Sequence, residues 1–328
     1  MPSIDYGYEK LVTYQPPLTH QPDFDAFWAA TLAETRTHEL NAVVDVLDYP
    51  IADVLAHRLS YAGYGGHRIQ GLFLLPRAAA ERRVPVVIVY HGYTGGAGMV
   101  HTHLPWVMMG CAVIAVDTRG QGGDTGEPGG YLGGSVVGWM TNGILDPADY
   151  YYRRAYVDCV RAVDFACSRP DLDCSRLCVT GGSQGGGLSV AVAGLEPRVR
   201  VCMPDVPFLS HFQRAVDIAP AGPYPEIANY LAKYPHTTED VWRTLSYFDG
   251  MNLAARIQAD TRMLWSVGLW DDVCPPSTVY AAYNHCPVPE GRKQMAVYPY
   301  NKHEGGGGWQ RERQIAFLHD ALTLPLES

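Results

Sequence analysis

Residues Leu177-Cys178-Val179-Thr180-Gly181-Gly182-Ser183-Gln184-Gly185-Gly186 decide how the rest of the chain is read. A short β-prone run ends at Thr180, a serine follows between glycines, and an apolar stretch of helical composition begins behind it. Within it, Gly181, Ser183 and Gly185 fill the pattern Gly-x-Ser-x-Gly. A serine carried on a sharp strand-to-helix turn projects its hydroxyl, and small neighbours keep Cβ atoms out of a crowded, strained backbone. The amides opening the following helix face any oxyanion formed there. A tight glycine turn with no chemistry would need neither the preceding strand nor the following helix. Ser183 is therefore the candidate nucleophile.

Working outward, Val84-Pro85-Val86-Val87-Ile88-Val89-Tyr90 is a continuous β-branched run, as expected of a strand buried on both faces. Further strands are expected over 111–116, 177–180, 199–203, 263–267 and 295–298. Helices are expected between them: over 150–167, after Ser183, over 276–285 and over 310–322. In the first, Tyr156, Val160, Val163 and Cys167 share one face of a 3.6-residue period. Strand–helix alternation predicts an α/β fold, a mostly parallel sheet flanked by helices. Residues 1–80 depart from it, with a helical piece over 24–40 and antiparallel-looking pieces over 55–75, and read as an N-terminal extension. Residues 208–258, rich in aromatics and proline, read as a lid-like insert over the site. Phe208, Phe212, Tyr224 and Tyr230 either wall the site or pack the insert. The whole, 1–328, is expected to be one domain.

Composition narrows the class. The 328 residues are 47% apolar and 18% charged with a net charge of −9. That excludes a disordered chain and gives no attraction to nucleic-acid phosphates or an anionic membrane surface. No apolar run approaches the ~20 residues of a membrane span. The first residues, Met1 to Tyr6, lack a basic region and apolar stretch of a leader. Eight cysteines without Cys-x-x-Cys spacing predict neither a zinc site nor a disulfide scaffold. Cys111, Cys159, Cys178 and Cys202 read as core residues.

A nucleophilic serine on such a turn needs an acid and then a histidine further along the chain. Of His211, His236, His285, His303 and His319, only His303 follows a late strand, where a base is delivered to the carboxyl edge of a sheet. Asp271 and Asp272 follow the 263–267 strand, and spacing prefers them to Asp205 without separating them. His91-Gly92-Tyr93, at the end of the first strong strand, offers the Tyr93 amide as an oxyanion donor opposite that of Gln184. Asp117-Thr118-Arg119-Gly120-Gln121 lacks the glycine spacing and lysine of a phosphate loop, so Arg119 reads as a residue that fixes neighbouring backbone or carboxylates.

Arg119-Gly120-Gln121, Gly181-x-Ser183-Gln184-Gly185 and His303-Glu304 together resemble the signature set of carbohydrate esterase family 7, the acetyl xylan esterases and cephalosporin C deacetylases. Similarity extends to Phe24-Asp25-Ala26-Phe27-Trp28 and to residues 61–69, 140–146, 244–249 and 274–284, nearly the whole chain. The resemblance implies an α/β-hydrolase fold and a catalytic Ser183, His303 and Asp271, the last chosen by Gly-Leu-x-Asp over 268–271. It implies oxyanion amides at Tyr93 and Gln184, and site support from Arg119, Gln121 and Glu304. It further implies acetyl ester hydrolysis on small substrates and a cytoplasmic homohexamer; the acyl-transfer chemistry requires no metal or other cofactor, and the composition gives no nucleic-acid or membrane partner. Trp270 and the Gly305–Gly308 run are local variations beside the site that bear on its walls. The competing readings are a peptidase or dienelactone-type hydrolase on the same scaffold, and a ligand-binding homologue that has lost catalysis.

Overall fold

β-Branched and aliphatic runs become strands because alternate side chains can then be buried on opposite faces of one sheet. In the computed structural model, which describes residues 5–132 and 137–323, Val86 and Ile88 join one apolar core while Val87 between them joins the other. Residues 1–4, on which the leaderless N-terminus partly rests, lie outside the described residues, as does the end of the 1–328 unit beyond 323.

Among the described residues, nine strands form one sheet: β1 (Val43–Leu47), β2 (Val54–Ala62), β3 (Arg68–Pro76), β4 (Val84–Tyr90), β5 (Ala112–Val116), β6 (Leu172–Gly182), β7 (Val201–Asp205), β8 (Arg262–Gly268) and β9 (Lys293–Tyr298). Their order is β1-β2-β3-β5-β4-β6-β7-β8-β9. β1, β2 and β3 run antiparallel, β3 joins β5 antiparallel, and every pair from β5 to β9 is parallel. Residues 43–76, expected as an extension, thus supply the antiparallel edge of the sheet itself.

Helices cover both faces. Tyr151–Ser168, Gln184–Leu195 and Pro276–His285 contribute to the larger core, and Leu104–Met108 and Gly307–Thr323 to the smaller one. Tyr151–Ser168 is buried nearly all round, not on one face alone, because it lies between the sheet and the N-terminal helix Phe24–Arg36. Four short helices between β7 and β8 make up most of the 208–258 segment.

Three expectations change. The first helix ends at Arg36, not at residue 40. β1 was not anticipated: it is an edge strand whose Val43 and Val46 are exposed, so it shows no clean alternation. A disulfide is not expected, yet Cys167, partly buried against the larger core, is bridged to Cys174, where the turn into β6 brings the two Cα atoms to 5.1 Å. The other six cysteines are free and buried.

Candidate active site

The parallel strands deliver their carboxyl ends to one edge, and the site is built there. β6 stops at Gly182 and the next helix starts at Gln184, leaving Ser183 at φ 57°, ψ −118°. That left-handed backbone on a non-glycine residue costs of order 1–3 kcal/mol and is retained by its surroundings. The Ser183 amide donates to the Asp205 carbonyl at 2.9 Å, and the Ser183 carbonyl accepts from Gly187 and Phe208, each at 3.0 Å. Gly185 is required by close approach: a Cβ there would lie 2.0 Å from the Tyr90 carbonyl at the end of β4.

His303, in the loop after β9, reaches Ser183 Oγ with Nε2 at 2.9 Å and Asp271 Oδ2 with Nδ1 at 2.9 Å. Asp271, in the loop after β8, is fully buried. Its Oδ1 accepts the amides of Val273 at 2.9 Å and Cys274 at 2.8 Å, which fixes the carboxylate plane. The two loops are tied to each other, since Leu269 donates to the Tyr298 carbonyl and Trp270 to the Asn301 carbonyl, each at 3.0 Å. Asp272 instead meets Lys302 at 3.8 Å on the partly exposed side. Asp205 bonds Ser266 and not His303; burial pushes its carboxyl up to about 6.

Opposite the helix start, the 91–95 loop passes beside Ser183, with a Cβ built on Gly92 4.0 Å from that of Ser183. Among the described residues, the amides of Tyr93 and Gln184 donate no hydrogen bond within the chain, leaving both for a ligand oxygen. His91 sets the loop's start: its Nε2 accepts the Thr118 amide at 2.8 Å and its Nδ1 donates to the Gly92 carbonyl at 2.7 Å. Burial lowers its pKa, in keeping with this neutral tautomer.

Gln121 connects the two candidate oxyanion donors. Its Oε1 accepts the Thr94 amide at 2.9 Å, and it exchanges amide hydrogen bonds with Gln184 at 2.9 and 3.0 Å. Tyr152 donates to Gln184 Oε1 at 2.9 Å, while Tyr151 accepts from Gln121 and donates to the Arg119 carbonyl at 2.7 Å. Arg119 is buried and grips Asp158 with Nε and Nη2 at 2.6 and 2.8 Å. Burial works against its charge, but the Asp158 carboxylate outweighs that and holds the guanidinium protonated. Glu304 sits at the surface, bonded to Asn301 Nδ2 at 2.9 Å and the Lys302 amide at 3.1 Å, and shapes the His303 loop without touching the imidazole.

Sequence reasoning missed Asp158, Tyr151, Tyr152 and Cys274. The tyrosines stood in plain sight as a run at a helix start, but no spacing linked them to Gln184. The donors of Asp271, Cys274 and His303 lie within 4.8 Å of one another, the only such group among the described residues. A cation there would have to break the His303–Asp271 pair, so the group reads as acid–base machinery with a thiol beside it. Phe208, Phe212, Tyr224 and Tyr230 are all buried and pack the insert instead of walling the site.

A strand-to-helix elbow serine, followed in chain order by an aspartate and a histidine at the carboxyl edge of a mostly parallel sheet, defines an α/β-hydrolase. A profile of the family described as acetyl xylan esterase matches residues 1–321, and the chain belongs to that family. An acetyl esterase, Axe7A of Xylanibacter ruminicola, is 34% identical over 318 residues, 92% of this chain and 69% of that protein. The solved acetyl xylan esterase from Paenibacillus sp. R4 superposes with a TM-score of 0.92 at 43% identity, over 96% of this chain and 99% of that one. Acetyl xylan esterase 1 from Thermoanaerobacterium sp. JW/SL YS485 gives 0.90 at 34% identity, over 97% and 100%.

Proposed function

We propose that this chain is a serine carboxylic ester hydrolase that removes acetyl groups from small acetylated substrates by a Ser183–His303–Asp271 acyl-enzyme mechanism. The observation that carries the reading is His303 spanning from Asp271 to Ser183 with a 2.9 Å contact at each nitrogen. Family membership and the acetyl esterase names of the relatives supply the acyl group.

His303 Nε2 takes the Ser183 proton as Oγ attacks the acetyl carbonyl; Asp271 keeps the Nδ1 proton in place and stabilises the imidazolium. The Tyr93 and Gln184 amides receive the oxyanion, a donor pair in which each member is worth about 10²–10³ in rate. His303 then protonates the leaving alkoxide, water repeats the attack on the acyl-enzyme, and acetate departs. Arg119 and Gln121 position these groups without reacting, and Glu304 shapes the base loop. None of these steps calls on a metal or an organic cofactor.

The alcohol portion is a xylo-oligosaccharide, another acetylated sugar or cephalosporin C. The strand–helix order of the sequence supports one catalytic domain, residues 1–328, with the 208–258 segment over the site, and the resemblance supports a cytoplasmic homohexamer. Among the described residues, no helix is long and apolar enough to cross a membrane. The test is 4-nitrophenyl ester hydrolysis across acetate, butyrate and octanoate. A kcat/KM that falls steeply with chain length supports an acetyl-sized pocket, and equal values across the series overturn it.

A further inference from the structure

Tyr93 enters the site through its main-chain amide, yet its side chain is held with equal care by a residue the reaction has not used. Glu226, in the insert helix Tyr224–Lys233, accepts the Tyr93 hydroxyl with Oε1 at 2.9 Å and Oε2 at 3.0 Å. The same carboxylate accepts the Met140 amide at 3.1 Å, and the Trp139 amide donates to the Tyr93 oxygen at 2.7 Å. Gly138 lets this carboxylate in: a Cβ there would sit 2.1 Å from each of its oxygens, and its φ of +96° independently favours glycine. Two rings complete the clamp, Trp139 edge-on at 5.2 Å and Phe208 at 6.3 Å from the Tyr93 ring.

Among the described residues, no cation offsets this half-buried carboxylate. Burial raises its pKa, and only the Met140 amide and the Tyr93 hydroxyl pull it back. Burying a carboxylate there costs desolvation, and what offsets it is the set of hydrogen bonds to Tyr93 and Met140. At the other end of the residue, Gln121 Oε1 holds the Thr94 amide at 2.9 Å. Tyr93 is thus pinned through its phenol by the insert and through the following peptide by the 117–121 loop, two attachments that meet at the Cα carrying the free amide.

We propose that Glu226 is a positioning residue for the esterase reaction, holding the Tyr93 hydroxyl so that the Tyr93 amide meets the transition-state oxyanion. The inference rests on the proposed esterase reading and makes the insert part of the catalytic frame. An oxyanion donor acts on the transition state far more than on the bound ester, so its displacement lowers kcat and leaves KM nearly unchanged.

The experiment compares Glu226→Ala, Glu226→Gln, Tyr93→Phe and the Glu226→Ala/Tyr93→Phe double variant with the parent on 4-nitrophenyl acetate, with thermal unfolding of each. Affinity for a trifluoromethyl ketone, which forms a tetrahedral oxyanion on the serine, is measured beside affinity for acetate. We expect Glu226→Ala and Tyr93→Phe each to lower kcat about 10- to 100-fold with KM within about twofold. The double variant should be no worse than the poorer single one, and Glu226→Gln, which keeps one acceptor, should fall in between. Ketone affinity should drop with kcat while acetate affinity holds. A Glu226→Ala protein with parental kcat, losses confined to KM, or multiplicative losses in the double variant would overturn the inference. An inactive but folded parent would instead overturn the esterase reading itself.

Discussion

Replacing Asp271 with asparagine tests the acid more sharply than deleting it, because the structure dictates how the amide must sit. Asp271 Oδ1 accepts two backbone amides, from Val273 and Cys274. An NH2 group in that position would face two donors, so the asparagine places its carbonyl there and turns its NH2 toward His303 Nδ1. That nitrogen must then accept, which moves the imidazole proton to Nε2, where it opposes the Ser183 hydroxyl. The protein keeps its fold and its distances but holds a base with no free lone pair for the serine. The equivalent change in a serine protease with this chemistry costs about 10⁴ in kcat, close to ~5.5 kcal/mol of transition-state stabilisation. In Asp271→Asn, kcat for 4-nitrophenyl acetate near neutral pH should fall by about that factor, with KM and the unfolding temperature little changed. A loss of less than about tenfold would refute the reasoning and shift the acid role toward another carboxylate, with Asp205→Asn as the next variant to assay.

Three other outcomes follow from the surrounding framework. Gln121→Ala leaves the buried Gln184 side-chain amide without its Gln121 partner, at about 1–3 kcal/mol, and frees the Thr94 amide and one lone pair of Tyr151; urea unfolding should show the loss, accompanied by a drop in kcat, and an unchanged midpoint would contradict the network. Arg119→Ala strands the buried Asp158 carboxylate and should destabilise by about 3–5 kcal/mol, whereas an apolar replacement of both partners should recover most of it; equal losses in the two would contradict the pair's role. Asp249, buried and bonded to the amides of Met251, Phe212 and His211, has its carboxyl raised by burial to about 6. With its folded pKa above an unfolded value of about 3.9, it contributes stability that is complete below pH ~4 and lost as pH rises through ~6. The stability of the parent relative to Asp249→Asn should therefore increase between pH 7.5 and 4.5, measured by urea midpoints, and a decrease would contradict the assignment.

The elements that could be read from the sequence are those whose signal is local. The 84–90 run announced a strand buried on both faces, and the Gly181–Gly186 stretch carried strand, turn and helix start within a few residues. His303 was selected because it alone follows a late strand. Spacing could not separate Asp271 from Asp272; only the resemblance did, and the fold shows the physical difference, one turned inward onto two amides and the other outward toward Lys302. What stayed hidden depends on chain segments far apart. β1 is an exposed edge whose partner, not its pattern, makes it a strand. The Arg119–Asp158 and Glu226–Tyr93 contacts join residues 39 and 133 positions apart, and no periodicity records them. The Cys167–Cys174 bridge depends on how a helix end turns into a strand, which seven residues of spacing do not encode.

The central claim is that this site removes acetyl groups through Ser183. The most direct measurement is acetate release from acetylated xylo-oligosaccharides and from cephalosporin C, with the parent protein beside Ser183→Ala and both verified as folded by cooperative unfolding. The account predicts release from both substrates by the parent and essentially none by the variant. Undiminished release by Ser183→Ala, or no release from either substrate by the folded parent, would contradict it.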